Sequence, residues 1–389
     1  MFKILKGGKI FTPAEQGTHD LLIAGGLIAN IAETIEPVSG YGAVEVIDVQ
    51  GKYVVPGFID QHVHLIGGGG EGGFASRTPE VMLSDIVRCG ITTVVGCLGT
   101  DGVTRSMKTL LAKARGLEAE GLTTYIYTGS YEVPPQTTTG SVRSDIVLIE
   151  KIIGCGEIAL SDHRSAQPLT EEIARLAAEA RVGGMLSGKA GVLHLHMGDG
   201  ERKLSMLFKI LGETELPVTQ FTPTHINRNP ELLTDGIRFA KLGGYIDMTT
   251  GIGGYGGSSA ILASQAVKHC LDAGVPIDRI TMSSDGNGSM PSFNANGEIV
   301  GLAVSRLDSL HREFRALVQN EGVALADSLR PITANPAKAL KLPGQVGTLQ
   351  PGGVADIVVL GEDLNIDLVF AKGRCMVAGG QPVVKGTFE

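Results

Sequence analysis

The stretch Pro56-Gly57-Phe58-Ile59-Asp60-Gln61-His62-Val63-His64 runs from an apolar segment into two histidines one residue apart. The apolar run reads as a buried strand, and alternate side chains of a strand share a face. His62 and His64 therefore project together from the strand end, where two imidazoles can grip one metal ion. An isolated pair of this kind is more often two ordinary histidines. Here donor residues recur at the ends of later strand-like segments, and that recurrence decides the reading.

Downstream of this stretch, strand-like and helix-like patterns alternate. The strand candidates are 57–64, 92–98, 123–128, 157–161, 192–196, 218–225, 245–249 and 279–285, with helical patterns between them, for example over 171–181 and 232–242. Eight alternating units predict an α/β fold of the (β/α)8 TIM-barrel type, with function at the C-terminal ends of the strands. A doubly wound open sheet is the alternative. Outside this region the pattern is short β segments and Gly-rich turns: 2–5, 21–24, 27–29 and 44–47 at one end, 355–360, 367–370 and 374–377 at the other. Neither end alone can bury a sheet face, so both termini are expected to build one small β-sandwich. The expected organisation is sandwich 1–55, barrel 56–343 and sandwich 344–389.

On that map, His62 and His64 end strand 1, Glu157 opens strand 4, His196 ends strand 5, His225 ends strand 6 and Asp285 ends strand 8. Four histidines and two carboxylates at one rim form a mixed nitrogen and oxygen donor set, which suits zinc or a similar divalent transition metal. Two ions fit if one carboxylate bridges them, and such a site makes a bridging hydroxide and polarises a carbonyl. A single-metal site is the alternative.

These residues in this order resemble the amidohydrolase superfamily, and the resemblance covers essentially the whole chain. Within it the sequence is similar to the isoaspartyl (β-aspartyl) dipeptidase family. The similarity is carried by Gly57–Glu71, Ser161-Asp162-His163-Arg164-Ser165, His196-Met197-Gly198-Asp199, Pro223-Thr224-His225-Ile226-Asn227-Arg228-Asn229 and Ser284-Asp285-Gly286-Asn287-Gly288-Ser289. The resemblance implies metal-dependent hydrolysis of the β-aspartyl peptide bond, with two divalent ions, zinc by the donor set. One departure stands out. Family members commonly bridge the metals with a carbamylated lysine on strand 4, and the matching position here is Glu157. A glutamate is several atoms shorter, so the backbone or the metals must shift.

The substrate reading rests on charges next to the ligand motifs: Glu71 after the glycine run 67–70, Arg164 after strand 4, Arg228 after strand 6 and Ser289 after strand 8. An isoaspartyl dipeptide carries one amine and two carboxylates, and arginine forks suit carboxylates. By resemblance, Glu71 holds the amine, Arg228 with Ser289 holds the aspartyl carboxylate, and Arg164 holds the leaving residue's carboxylate. Thr100 joins the substrate-binding set. Tyr131 supplies a phenol to the scissile carbonyl, and Asp285 both binds metal and carries the proton from the attacking water to the leaving amine.

The remaining features bound the answer. The chain has 389 residues, 43% hydrophobic content and a formal net charge of −8, which argues against nucleic acid or an anionic membrane as partner. Five scattered cysteines with no CxxC pair, and an N-terminus without a signal-peptide core, place the protein in the cytoplasm; a homo-oligomer acting on a small dipeptide is expected. His194 reads as a metal neighbour or a packed residue and His163 as a residue behind the ligands, while His19, His269 and His311 read as surface. The run Gly251–Gly257 is a mobile cover or a plain connector. Two other functions compete. A cyclic-amide hydrolase of dihydropyrimidinase or dihydroorotase type would not need the paired carboxylate clamps, and a noncatalytic scaffold would not need the complete ligand set.

Overall fold

The computed structural model describes residues 2–37, 44–252, 259–294, 298–342 and 346–389. Eight strands, β1 (Phe58–Val63), β2 (Ile91–Gly96), β3 (Thr123–Thr128), β4 (Ile152–Leu160), β5 (Val192–Met197), β6 (Phe221–Thr224), β7 (Ile246–Thr249) and β8 (Ile280–Ser283), alternate with helices. These helices are α1 (Leu83–Val87), α2 (Met107–Glu120), α3 (Val142–Leu148), α4 (Thr170–Ser187), α5 (Ser205–Glu213), α6 (Pro230–Lys241), α7 (Ala263–Asp272) and α8 (Asp308–Gln319). The strands are apolar without alternation because both faces are covered, and β2, β4 and β5 are buried at every position. Helix limits follow local chemistry. In α6 the Asn229 side chain accepts from the Leu232 amide at 2.8 Å, Pro230 occupies the first turn, and Arg238 and Lys241 sit in the last.

β1 to β6 pair in sequence order in one parallel sheet, and β7 pairs with β8 separately. A doubly wound sheet reverses its strand order at a switch point; this one does not, and the chain forms a TIM-barrel-like domain. Side chains and one bridge close the circle. The Asp247 carboxylate on β7 accepts from Gln61 Nε2 (2.8 Å), Thr281 Oγ1 (2.7 Å), Thr224 Oγ1 (2.6 Å) and Ser283 Oγ (2.5 Å). Asn227, after β6, exchanges two hydrogen bonds with the Thr249 backbone at 2.8 and 3.0 Å. The His64 amide donates to the Gly286 carbonyl at 2.9 Å, joining the end of β1 to the loop after β8.

Two strand limits depart from the sequence reading. β6 begins at Phe221, because Val218–Gln220 is a 3-10 turn. Glu157 does not open β4; the strand starts at Ile152. Gly154 and Gly156 look like turn residues in the sequence, yet Gly156 serves a close approach: a Cβ there would lie 2.6 Å from the His194 carbonyl oxygen. Between Cys155 and Ile158 the strand advances three residues while β5 advances two, from Leu193 to Leu195. Glu157 sits in that bulge, a device that re-aims side chains beside active sites.

The termini build one β domain together, as expected, with nine strands joined in one hydrogen-bonded order. Its strands are Phe2–Phe11, Glu15–Ala24, Leu27–Ala32, Val44–Asp48 and Tyr53–Pro56 from the N-terminal part, and Ile357–Leu360, Ile366–Ala371, Arg374–Ala378 and Gln381–Pro382 from the C-terminal part. Tyr53–Pro56 unites the halves, pairing with Phe2–Phe11 on one side and antiparallel with Ile357–Leu360 on the other. Leu5, Ile10, Leu21, Ile23, Val54, Ile357, Val359 and Phe370 share one buried cluster, while Val358, Leu360, Val369 and Met376 pack into the barrel's outer core. The boundary expected at residue 55 falls within a sheet strand, and that at 343 lies outside the described residues. We propose the barrel as the stretch between them.

Candidate metal centre and substrate cleft

At the C-terminal ends of the barrel strands, five side chains converge around Glu157. His62 Nε2 and His64 Nε2 each lie 3.4 Å from Glu157 Oε1, and 3.5 and 3.1 Å from Asp285 Oδ1. The other carboxylate oxygen, Oε2, lies 3.3 Å from His196 Nδ1 and 3.6 Å from His225 Nε2. For metal–ligand bonds of about 2.0–2.1 Å, the edge of a coordination tetrahedron is about 3.3–3.4 Å. These spacings suit metal donors, with one Glu157 oxygen turned to His62 and His64 and the other to His196 and His225. His62 Nε2, His225 Nε2 and Glu157 Oε2 are buried with no hydrogen-bond partner. Buried polar atoms are seldom left so, and the residues therefore fit a divalent ion. Two donor groups can be drawn, His62–His64–Cys97–Glu157 and Glu157–His196–His225, and they share Glu157.

The polar contacts behind the donors fix which ring nitrogen is free, as metal-binding histidines require. If His62 offers Nε2 to a metal, its Nδ1–H donates to His194 Nε2 at 2.8 Å, and His194 Nδ1–H donates to Thr222 Oγ1 at 3.1 Å. His225 Nδ1–H donates to Thr249 Oγ1 at 2.7 Å. His196 Nε2–H donates to Asp162 Oδ2 at 2.9 Å, which leaves Nδ1 facing Glu157. Burial, helped by the Arg228 charge, pushes the His225 imidazole down to about 3, so it stands neutral with a lone pair to offer. Burial alone would raise Glu157, but the surrounding histidines, His62 foremost, hold it well below the carboxylate range. His225 (φ 61°) and Asp285 (φ 54°) adopt left-handed backbone, uncommon for such residues and typical of functional sites.

A second arc of charge faces this cluster. Gly67, at φ +80°, turns the chain where a Cβ would sit 2.2 Å from the Thr78 carbonyl oxygen, and the run leads to Glu71. Glu71 Oε1 accepts from Thr100 Oγ1 at 2.8 Å and lies 3.4 Å from Arg164 Nη1. Its Oε2, with Arg228 Nε and Ser289 Oγ, is buried and unpartnered. Arg164 also grips Asp162 in a two-point contact at 3.0 and 2.7 Å. The Tyr131 hydroxyl donates to His196 Nδ1 at 2.7 Å, and burial lifts its ionisation well above the usual phenol range. It is a proton donor aimed into the site.

Other expectations need correction. His163 is exposed; its neighbour Asp162 is the residue behind His196. His311 is half-buried; its Nε2–H donates to the Leu364 carbonyl at 2.8 Å and its ring stacks on Phe58. His19 is half-buried, and His269 is exposed as expected. His194 is the neighbour of a candidate ligand. Most of the run Gly251–Gly257 lies outside the described residues. Cys97, Asp162 and Asp247 were missed, because only the fold brings them to their partners.

The amidohydrolase family model matches residues 258–376. Dihydroorotase from Staphylococcus aureus (strain N315) is 42% identical over 92 residues, 24% of this chain and 20% of the dihydroorotase, so the match spans a fifth of that relative's length. A β-aspartyl dipeptidase from the thermophilic keratin-degrading Fervidobacterium islandicum AW-1, solved in complex with the β-Asp-Leu dipeptide, is 44% identical over 98% of each chain, with a TM-score of 0.91. A D-hydantoinase structure shares the fold at 16% identity, covering 100% of this chain and 97% of its own, with a TM-score of 0.69.

Proposed function

We infer the activity from a premise now in place: the chain belongs to the β-aspartyl dipeptidase family of the amidohydrolases. It is a metal-dependent hydrolase that cleaves the β-aspartyl peptide bond of dipeptides. The observation that carries the substrate assignment is the second arc, where a carboxylate oxygen of Glu71, a guanidinium nitrogen of Arg228 and the hydroxyl of Ser289 are each buried and unpartnered. Those three groups complement the amine and the carboxylate of an aspartyl residue.

His62, His64, Glu157, His196, His225 and Asp285 would hold two divalent ions, zinc by the nature of the donors. When bound, such ions generate a nucleophile from water near neutral pH and polarise a carbonyl oxygen. The chain's own residues do the rest. Glu71, held by Thr100, takes the substrate ammonium. Arg228 and Ser289 take the aspartyl α-carboxylate. Arg164 takes the carboxylate of the leaving residue, exchanging its contact with Glu71 for one with substrate. Tyr131 donates its hydroxyl proton to the carbonyl oxygen as charge develops there. Asp285 accepts a proton from the attacking water and passes it to the leaving amine. No helix among the described residues is long and apolar enough to cross a membrane. A cytoplasmic homo-oligomer belongs to this proposal, its placement supported by the free cysteines.

In an α-linked Asp dipeptide the scissile carbonyl is one carbon nearer the amine. With Glu71 and Arg228 fixing both ends of the aspartyl residue, that carbonyl misses the reacting position. β-Asp-Leu should be turned over far faster than α-Asp-Leu or a cyclic imide, and Arg228→Met should cripple the first reaction. Equal kcat/KM for the two linkages would overturn the substrate assignment while leaving the metallohydrolase intact.

A further inference from the structure

The end of β2 brings one more donor to the metal cluster. The Cys97 amide donates to the Val63 carbonyl at 3.1 Å, which registers this residue between the two histidines of the opening motif. Its side chain is fully buried, and Sγ lies 4.0 Å from His64 Nδ1. Donor atoms of His62, His64, Cys97 and Glu157 all fall within 4.8 Å of one another. A buried cysteine alone is usually a packing residue, and Cys89, Cys155 and Cys270 are placed that way, within the apolar core. Cys97 differs in what stands beside it. His62 Nε2, deeply buried and without a hydrogen-bond partner, points into the same cluster, 3.4 Å from Glu157 Oε1.

We propose that Cys97 is a thiolate ligand of the metal centre, to the ion held by His62 and His64. The inference rests on the metallohydrolase reading above and deepens it. Metal binding deprotonates a cysteine, so the thiol proton leaves to solvent as the sulfur–metal bond forms. The site would then hold three anionic donors, Glu157, Asp285 and Cys97. A soft sulfur donor biases the choice toward zinc, cobalt or cadmium and away from magnesium or manganese. Its strand position also suits the departure at β4. The donor on β2 would supplement a carboxylate, Glu157, that is shorter than a lysine carbamate.

The test uses the full-length protein loaded with cobalt(II), then with zinc. The wild type should show a near-ultraviolet thiolate-to-cobalt charge-transfer band that Cys97→Ser loses at equal protein concentration. In the zinc form, X-ray absorption should find a sulfur scatterer at about 2.3 Å. That measurement keeps the proposal open to refutation even if Cys97→Ser fails to fold. A fully loaded wild type with neither signal would overturn the proposal, as would a band that persists in Cys97→Ser. Metal content and β-Asp-Leu turnover separate the two levels. Full metal and full turnover without a sulfur signal removes Cys97 alone, whereas failure to bind any metal removes the centre itself.

Discussion

Two sides of the barrel cohere by different means. From β1 to β6 each strand pairs with the next in one sheet, and this arc carries all four candidate histidine ligands and Glu157. At β7 and β8 the ladder is a separate pair, tied to its neighbours by Gln61 and Thr224 donating to Asp247 and by Asn227. From this seam comes one candidate metal ligand, Asp285, on a left-handed turn. The difference teaches a division of labour. Groups that must stay fixed sit on the ladder, and the group proposed to move a proton sits on the side held by side chains.

Four experiments can break or sharpen that contrast. The largest effect belongs to Asp285→Asn, which should lower kcat on β-Asp-Leu by about 10²–10⁴-fold while the thermal melt stays near that of the wild type. A mutant with native turnover would assign the seam a purely structural part. Asp247→Ala comes next. It strands several buried donors and should cost roughly 3 kcal/mol or more of stability, read from the denaturant midpoint; an unshifted midpoint would mean that the seam is closed by other contacts. On the ladder side, His194→Phe removes the acceptor that orients His62 and should weaken metal retention about 10–100-fold against a chelator. Unchanged retention would show that the strand alone aims the ring. The smallest expected effect is none: zinc should restore the apo-enzyme equally with and without bicarbonate, because Glu157 needs no carbamate. A bicarbonate requirement would reopen the identity of the bridge.

Much of this was legible from residue spacing. Strand periodicity located all eight barrel strands, and the paired histidines of β1 marked the rim on which His196, His225 and Asp285 also lie. What stayed hidden are relations between distant strands. Asp247 looks like any strand aspartate until β1, β6 and β8 deliver Gln61, Thr224, Thr281 and Ser283 to it. Asp162 and His163 are adjacent, and only the turn after β4 decides which faces His196. Glycines 154 and 156 imitate a turn because the sequence does not display the Val192 and His194 backbone carbonyls that require them. Cys97 carries no spacing signal at all, since its companions come from β1 and β4.

The strand Tyr53–Pro56 has its antiparallel partner in Ile357–Leu360, and Lys52 meets Asp367 across 315 positions of sequence. On a ribosome adding roughly 5–20 residues per second, the first half of the sheet waits about 15–60 s for the second. Throughout that interval the barrel can assemble, while one edge of the N-terminal strands stands open, the kind of edge that recruits foreign chains. The nascent protein is thus built from the middle outward, and the sheet made of its two ends is the last part to be sealed.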